Sequence, residues 1–201
     1  MHVAIDGKRF YLNASGLGRY SRTLIPALLD EAPTHTLTLT LFKPPGNIKF
    51  KAPHHPQLQI ETAHYRLPGS VGNALWRFRK LPRLIDKGPF SLFHGPSHIL
   101  PHRTRCPMVV SMFDLIFLRY PDYFPLWDRN YYRYMFKKSA QRADHIISIS
   151  EATKADLINY LGAREENISV VYPSCDDGLA PLSEEHLEDV RRRYDLPDNY
   201  V

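Results

Sequence analysis

The amino-acid sequence predicts an α/β fold: a Rossmann-like, open and mostly parallel sheet with helices on both faces. Short apolar segments of strand length alternate along the chain with segments whose apolar residues recur at helical spacing. The chain has 201 residues, of which 43% are hydrophobic and 23% are charged, as in ordinary globular proteins. No apolar run approaches the roughly 20 residues that a membrane-spanning helix needs. This length is enough for one well-packed domain with a short additional segment.

Seven segments are predicted as strands and five as helices. The strands are expected at 2–6, 36–42, 58–61, 90–94, 108–112, 144–150 and 168–172, and the helices at 19–29, 71–87, 125–142, 151–161 and from 183 onward. Residues 36–42 give the clearest strand pattern, because leucine and threonine alternate strictly there. Helix ends are marked by Gly162, just past one helix, and by Ser183, which caps the last one. Pro26 and Pro82 interrupt helical patterns, so we expect a kink or break at each.

The charge of the chain favours partners that carry phosphate. The net charge is +5 and the isoelectric point is about 9.2, which suits nucleic acid, nucleotide-sugars or anionic lipid without choosing among them. Two stretches, 76–83 and 127–138, mix aromatic with basic residues. Such stretches suit a helix that touches anionic lipid headgroups. They also suit a helix that packs its aromatic face on the sheet and turns its basic face to water.

The N-terminus and the cysteines indicate a cytoplasmic protein. Residues 1–6 show no basic region followed by an apolar block and a cleavage site, so no secretory signal is visible. The two cysteines, Cys106 and Cys175, lie far apart in sequence, which favours free thiols in a reducing compartment over a disulfide scaffold. The basic aromatic stretches add the expectation of a peripheral position on the inner face of the membrane.

The loop after the first strand is the first candidate binding site, since ligands of parallel sheets bind beyond the carboxyl ends of strands. Residues 15–20 read Ser-Gly-Leu-Gly-Arg-Tyr and open a helix directly. Gly16 and Gly18 allow close approach of a ligand, and the helix N-terminus offers N–H groups and a positive dipole end for phosphate. Arg19 either pairs with that phosphate or is solvated. Ser21 replaces the third glycine of the dinucleotide fingerprint, and a tight strand-to-helix turn also explains two glycines.

Polar residues after three other strands are further candidates. His94 ends one strand and either binds a sugar or phosphate or simply packs. Asp114 follows the strand 108–112 and is either a catalytic residue or the cap of the next turn. Ser150 and Glu151 stand where a strand gives way to a helix, as ligand-binding residues or as ordinary helix-start residues.

A metal site is not expected. His94, His98 and His102 have four-residue spacing, which on a helix suggests metal ligands. Pro96 and Pro101 forbid a continuous helix there.

Taken together, these segments resemble glycosyltransferase family 4 (group 1). The segments that carry the resemblance occur in the family's order: Asp6, 16–20, 93–96, 107–110, 114–116, 119–124, 143–151, 156–157 and 170–173. The resemblance implies the GT-B fold, in which two Rossmann-like domains face each other across a cleft. Residues 1–180 would then be the N-terminal, acceptor-side domain. Residues 181–201 would be a linker helix and the first residues of an absent C-terminal domain that binds the donor.

The resemblance also implies an activity. Members transfer a sugar, with retention of anomeric configuration, from a nucleotide-sugar to a glycan or lipid-linked acceptor. They need no cofactor and no essential metal, and nucleic acid is not an expected partner. Without the donor-binding domain, the 201-residue chain alone is expected to be inactive.

Individual roles follow from matching positions. Gly16 and Gly18 match the loop that approaches the donor phosphates, and Arg19 lies in it; Asp114 is the catalytic candidate. The acceptor-binding candidates, assigned by position, are His94, Ser150 and Glu151. One departure is Phe113, which stands where many members have histidine and cannot donate, accept or carry a proton.

Two functions from other classes remain as alternatives. A non-catalytic nucleotide- or polyanion-binding Rossmann-like module would suit the basic charge equally well. A dinucleotide-dependent oxidoreductase is disfavoured by the missing third glycine and by the lack of an acidic residue at the end of segment 36–42.

Overall fold

A computed structural model describes residues 1–41, 50–62, 75–174 and 183–197 of the chain. In these residues the strands form one sheet in the order β3-β2-β1-β4-β5-β6-β7, and every neighbouring pair is parallel. The strands are β1 His2–Asp6, β2 Thr36–Leu41, β3 Leu58–Thr62, β4 Leu92–Gly95, β5 Met108–Met112, β6 His145–Ser148 and β7 Ile168–Val170. This arrangement confirms the predicted fold class.

The strand order places a switch point between β1 and β4. From β1 the chain moves outward through β2 and β3, then returns to pair β4 with the other side of β1. Beyond β4 it continues outward in the opposite direction through β5, β6 and β7. In sheets of this topology a crevice opens at the carboxyl ends of the strands near the switch point, where ligands bind.

Seven α-helices connect or follow the strands within the described ranges. They are α1 Lys8–Leu12, α2 Gly16–Glu31, α3 Leu81–Lys87, α4 Ile116–Arg119, α5 Leu126–Arg142, α6 Glu151–Leu161 and α7 Glu184–Tyr194. A π-helical turn, Trp76–Lys80, precedes α3, and Pro121–Tyr123 and Glu165–Asn167 are 3₁₀ turns. Gly162 ends α6 with a left-handed φ of 66°, and Ser183 caps α7, as predicted.

The apolar core lies on both faces of the sheet. Val3 and Ile5 of β1 pack in one buried cluster with residues of α1 and α2, while the intervening Ala4 belongs to the other. Successive side chains of a strand point to opposite faces, so helices cover β1 from both sides. The second cluster is the larger and includes buried residues of α3, α5 and α6.

Several boundaries differ from the predictions for identifiable reasons. The short helices α1 and α4 were not expected. Strand β6 is shorter than 144–150, because the Asp144 carboxylate accepts a hydrogen bond from the Met108 N–H and Ser150 caps α6. Pro82 does not break a helix; it lies in the first turn of α3, where no N–H partner is needed. The α2 helix contains Pro26 and continues to Glu31.

Parts of other predictions lie outside the described residues. They are the end of the strand at 36–42, the start of the helix at 71–87, Cys175, and the last four residues of the chain. Cys106 is a free, partly buried thiol, and burial raises its pKa.

Candidate functional site

A cavity of about 420 Å³ lies at the carboxyl edge of the sheet. Its walls are residues 15–17, 19 and 20 at the start of α2, His98 after β4, residues 113 and 114 after β5, and residues 173 and 174 after β7. These are the positions at which parallel α/β sheets bind ligands. Two of the predicted donor-phosphate residues, Gly16 and Arg19, and the predicted catalytic residue Asp114 line it.

The loop that leads into α2 is fixed by polar contacts. The Asn13 Oδ1 accepts hydrogen bonds from the backbone N–H of Ser15 (2.9 Å) and of Gly18 (3.2 Å). The Arg22 guanidinium donates to the carbonyls of Phe10 (3.1 Å) and Asn13 (2.8 Å). The N-terminus of α2 is therefore held rigidly at the cavity edge, with its positive dipole end available to an anion.

The two glycines of this loop have different physical reasons to be glycine. A Cβ at Gly18 would lie 1.9 Å from the Asn13 carbonyl oxygen, whereas a Cβ at Gly16 would meet no atom within 4 Å. Gly18 does not line the cavity, so its absent side chain permits the tight turn. Gly16 lines the cavity, and its absent side chain leaves space there. The tight-turn interpretation therefore explains Gly18, and ligand approach remains the prediction for Gly16.

His94 lies beneath the cavity and does not line it. Its Nε2 is 2.9 Å from the Ser111 Oγ, which is 2.9 Å from the Tyr20 hydroxyl in the cavity wall. His94 is buried, and burial lowers its pKa to about 4, so the imidazole is neutral at pH 7. Burial also raises the pKa of Tyr20. His94 thus reaches the cavity only through two hydroxyl groups, and its acceptor-binding role stays a prediction.

Asp114 caps the following turn and also lines the cavity. It is exposed at the cavity, and its Oδ1 accepts a hydrogen bond of 3.3 Å from the Ile116 N–H, which caps the following turn. The other carboxylate oxygen, Oδ2, makes no hydrogen bond to the residues that the structure describes. The geometry permits contact with a ligand, and the catalytic role stays a prediction.

Sequence reasoning missed His98 as a site residue. It considered this histidine only as a metal ligand, although the residue lines the cavity and its ring contacts Phe113 edge to face, with centroids 5.5 Å apart. Phe113 in turn contacts Tyr20 edge to face at 4.9 Å. Phe113 itself has no imidazole, but His98 places one directly against its ring. The available signal was a polar residue three positions beyond the end of β4.

Ser150 and Glu151 do not line the cavity. The Ser150 Oγ accepts from the Thr153 N–H at 3.1 Å and caps α6, while Glu151 is exposed in the first turn of that helix. The Thr153 hydroxyl donates to the Phe113 carbonyl at 2.7 Å and so ties α6 to the cavity wall. The helix-start interpretation describes Ser150, and acceptor contact by either residue stays a prediction.

The two basic aromatic stretches have different environments. Trp76 is 2% exposed and belongs to the core, so the packing interpretation is correct for it, whereas Trp127 is 87% exposed. On α5, Trp127, Tyr131 and Tyr134 follow helical spacing on one outward face. We call these three residues, together with exposed Tyr123 and Leu126, the aromatic surface.

Basic residues lie on the same helix as the aromatic surface. Arg133 and Lys137 are exposed, and the Lys138 Nζ lies over the Tyr134 ring, 5.9 Å from its centroid. In the described portion of the chain, no helix has the length and apolar character to cross a membrane.

Comparison with known proteins identifies relatives of this arrangement. The model of a family described as Glycosyltransferase Family 4 matches residues 14–179. No curated protein matches significantly.

Solved structures of similar fold include two complexes of Anabaena HepE. The complex with UDP and glucose has 16% identity and a TM-score of 0.60, with 97% of this chain and 50% of that chain covered. The complex with UDP-glucose has 16% identity and a TM-score of 0.60, with 98% and 50% covered. A glycosyltransferase from Rickettsia africae has 14% identity and a TM-score of 0.51, with 98% and 50% covered. Similarity at this level shows the fold alone. The chain spans about half the length of these structures.

Proposed function

Since this chain belongs to glycosyltransferase family 4, we propose that it forms the acceptor-side half of a retaining enzyme. The enzyme transfers a sugar from a nucleotide-sugar to a glycan or lipid-linked acceptor. Residues 1–180 are proposed as the acceptor-side domain, and residues 181–201 as a linker and the beginning of a donor-binding domain. In support, the chain spans half of the solved structures whose fold it shares, one of which is a glycosyltransferase from Rickettsia africae, and α7 has no buried residue.

One observation carries this proposal: the cavity at the carboxyl edge joins a helix N-terminus, a cation and a carboxylate. The start of α2, Arg19 and Asp114 come from segments up to about a hundred residues apart and face the same space. A strand-to-helix turn alone would account for the glycine loop but not for this convergence. A site of this composition suits a ligand that carries both phosphate and hydroxyl groups.

The proposed chemistry follows from the charges that develop during transfer. Breaking a sugar–phosphate bond places positive charge on the ring and negative charge on the leaving diphosphate. Fixed N–H dipoles at the α2 terminus and the Arg19 guanidinium favour that negative charge and lower the barrier. Asp114, which lines the same cavity, is proposed to interact with the reacting sugar or with the acceptor hydroxyl. Closure of the second domain would exclude water and limit hydrolysis of the donor.

The donor is proposed to be a nucleotide-sugar that needs no essential metal and no additional cofactor. The Anabaena HepE structures contain UDP, UDP with glucose, or UDP-glucose, which supports this class of donor. The helix N-terminus and Arg19 supply positive charge without a metal ion.

The acceptor and its setting form a separate part of the proposal. A lipid-linked acceptor would be reached from a membrane surface, and we propose that the protein is cytoplasmic and binds the inner face of the membrane through the aromatic surface. Tyrosine and tryptophan suit the headgroup region, where one side of a ring meets apolar chains and the other meets water. The neighbouring lysine and arginine residues favour anionic lipid.

A donor screen tests the proposal. The two-domain enzyme is titrated calorimetrically with UDP-glucose, UDP-galactose, UDP-N-acetylglucosamine, GDP-mannose and ADP-glucose. Any donor that binds is then incubated with a lipid extract, with and without EDTA. Binding together with EDTA-resistant sugar transfer would support the enzyme, and nuclear magnetic resonance of the product would establish retention.

The same screen separates the alternatives. Nucleotide binding without transfer or donor hydrolysis would favour a non-catalytic binding module. Transfer by the 201-residue chain without a second domain would refute the assignment of halves.

A further inference from the structure

His98 has an unusual backbone for a residue with a large side chain. Its φ is 62°, in the left-handed region, and among the described non-glycine residues only Asp195 shares a positive φ. This conformation is strained for histidine, so neighbouring contacts must hold it. The His98 N–H donates to the Ser111 carbonyl at 2.9 Å and supplies one such contact.

The imidazole ring is fixed as firmly as the backbone. It stacks on the Phe136 ring with centroids 4.5 Å apart and planes 11° apart, and it meets Phe113 edge to face. The backbone N–H of Phe113 approaches the His98 Nδ1 at 3.5 Å, a long hydrogen bond in which Nδ1 accepts. A neutral ring whose Nδ1 accepts carries its proton on Nε2.

The remaining nitrogen, Nε2, has no hydrogen-bond partner among the residues that the structure describes, and the side chain lines the cavity. Burial, with a smaller contribution from the Arg9 cation, lowers the pKa of His98 to about 3. The ring is therefore neutral at physiological pH and presents a single N–H donor. This N–H opens onto the cavity, so a ligand atom that accepts its hydrogen bond replaces solvent there and gains affinity.

We propose that His98 is a sugar-binding residue whose Nε2–H donates to a hydroxyl oxygen of the sugar held beside Asp114. This inference rests on the proposed function. A neutral donor suits a hydroxyl group better than a phosphate, because the cationic Arg19 and the α2 terminus lie in the same cavity and favour the anion. The Tyr20 and Phe113 rings provide the apolar surface next to it.

Two variants of the two-domain enzyme separate hydrogen bonding from packing. His98→Phe keeps an aromatic ring on Phe136 and removes the donor, whereas His98→Gln removes the ring and places an amide nitrogen near the position of Nε2. The matched control is His145→Phe. His145 is the first residue of β6 and lies at the amino-terminal ends of the strands, away from the cavity at their carboxyl ends. Its Nε2 contacts the Ser169 hydroxyl.

The measurements use the sugar nucleotide selected by the donor screen and its nucleoside diphosphate, which lacks the sugar. We expect His98→Phe to lower kcat/KM about tenfold, while its affinity for the nucleoside diphosphate stays within about twofold. His98→Gln should retain more activity than His98→Phe, and His145→Phe should match the wild type. If phenylalanine at a positive φ prevents folding, His98→Asn replaces it, since asparagine tolerates that φ but is too short to reach the Nε2 position.

The possible results separate this inference from the proposed function. Wild-type enzyme that neither binds nor transfers a sugar overturns both. Active wild type with unchanged His98→Phe, or His98→Asn in its place, overturns the role of His98 alone. Equal losses of sugar-nucleotide and nucleoside-diphosphate affinity, or better activity with phenylalanine than with glutamine, would show that the ring only packs.

Discussion

Replacing each glycine of the α2 loop with alanine should give opposite results for stability. At Gly18 the new Cβ would lie 1.9 Å from the Asn13 carbonyl oxygen, about 1.5 Å closer than the 3.4 Å at which ordinary van der Waals contact begins. The carbonyl must move, and its 2.8 Å hydrogen bond from Arg22 is then lost or lengthened. Overpacking and a weakened charged hydrogen bond together cost about 3 kcal/mol.

At Gly16 the added methyl group meets open space. The φ of Gly16 is not positive, so alanine can adopt the same backbone conformation. Alanine also reduces the conformational entropy of the unfolded chain, which stabilises the fold by about 0.5 kcal/mol. The methyl group projects into the space that the proposed donor phosphate occupies, so the donor KM should rise several-fold. The first variant tests the fold, and the second tests the site.

The assays are thermal and urea denaturation monitored by circular dichroism, followed by donor kinetics in the two-domain enzyme. Gly18→Ala should lower the thermal midpoint by about 6–12 °C, at 2–4 °C per kcal/mol for a chain of this size. Gly16→Ala should unfold at the wild-type urea concentration or above it. Equal stability of the two variants would refute the steric argument, and unchanged donor kinetics in Gly16→Ala would refute phosphate approach at that residue.

Three other predictions follow from the structure. Asp114→Asn should reduce sugar transfer about a hundredfold yet leave the urea midpoint unchanged, because the amide oxygen still accepts from the Ile116 N–H; loss of stability instead would show that the residue is only a cap. Trp127→Ser should weaken sedimentation with phosphatidylglycerol vesicles without changing the thermal midpoint, because Trp127 is 87% exposed. Equal sedimentation of Trp127→Ser and the wild type would reject membrane binding through the aromatic surface. Because burial lowers the pKa of His94 to about 4 and of His98 to about 3, the unfolded chain binds more protons below its ordinary histidine pKa of about 6.5. The stability that the neutral rings confer should then be complete above about pH 6.5. Below that pH the free energy of unfolding should fall by about 1.4 kcal/mol per pH unit for each ring, until the pH reaches the pKa of that histidine in the folded protein. In urea titrations at pH 7, 6 and 5, His98→Phe should remove the contribution of His98 to this slope.

The sequence predicted the elements well where the signal is local. Met108–Met112 and Glu151–Leu161 have the predicted boundaries, because strand apolarity, the Ser150 cap and the left-handed Gly162 are properties of neighbouring residues. It did not predict α1, whose five residues are too few to show helical periodicity. The break expected at Pro82 is not present, because a proline is compatible with the start of a helix as well as with its end.

The candidate site was predicted in part for a related reason. Strand ends are visible in the sequence, so the loops at the carboxyl edge could be named, and Gly16, Arg19 and Asp114 do face one cavity. Whether a residue at a strand end points into that cavity or into the core depends on the neighbouring strands. His94 is therefore buried against Ser111, seventeen positions away, while His98 faces the cavity.

By itself the sequence determined the order of the strands and of the five predicted helices, the parallel α/β class and the family, because each depends on residue periodicity and motif order along the chain. Only the tertiary structure decided which glycine serves the turn and which the cavity, and which histidine contacts Phe113. It also decided which tryptophan is in the core. Those outcomes depend on distances between atoms far apart in sequence, which packing fixes and local patterns do not encode.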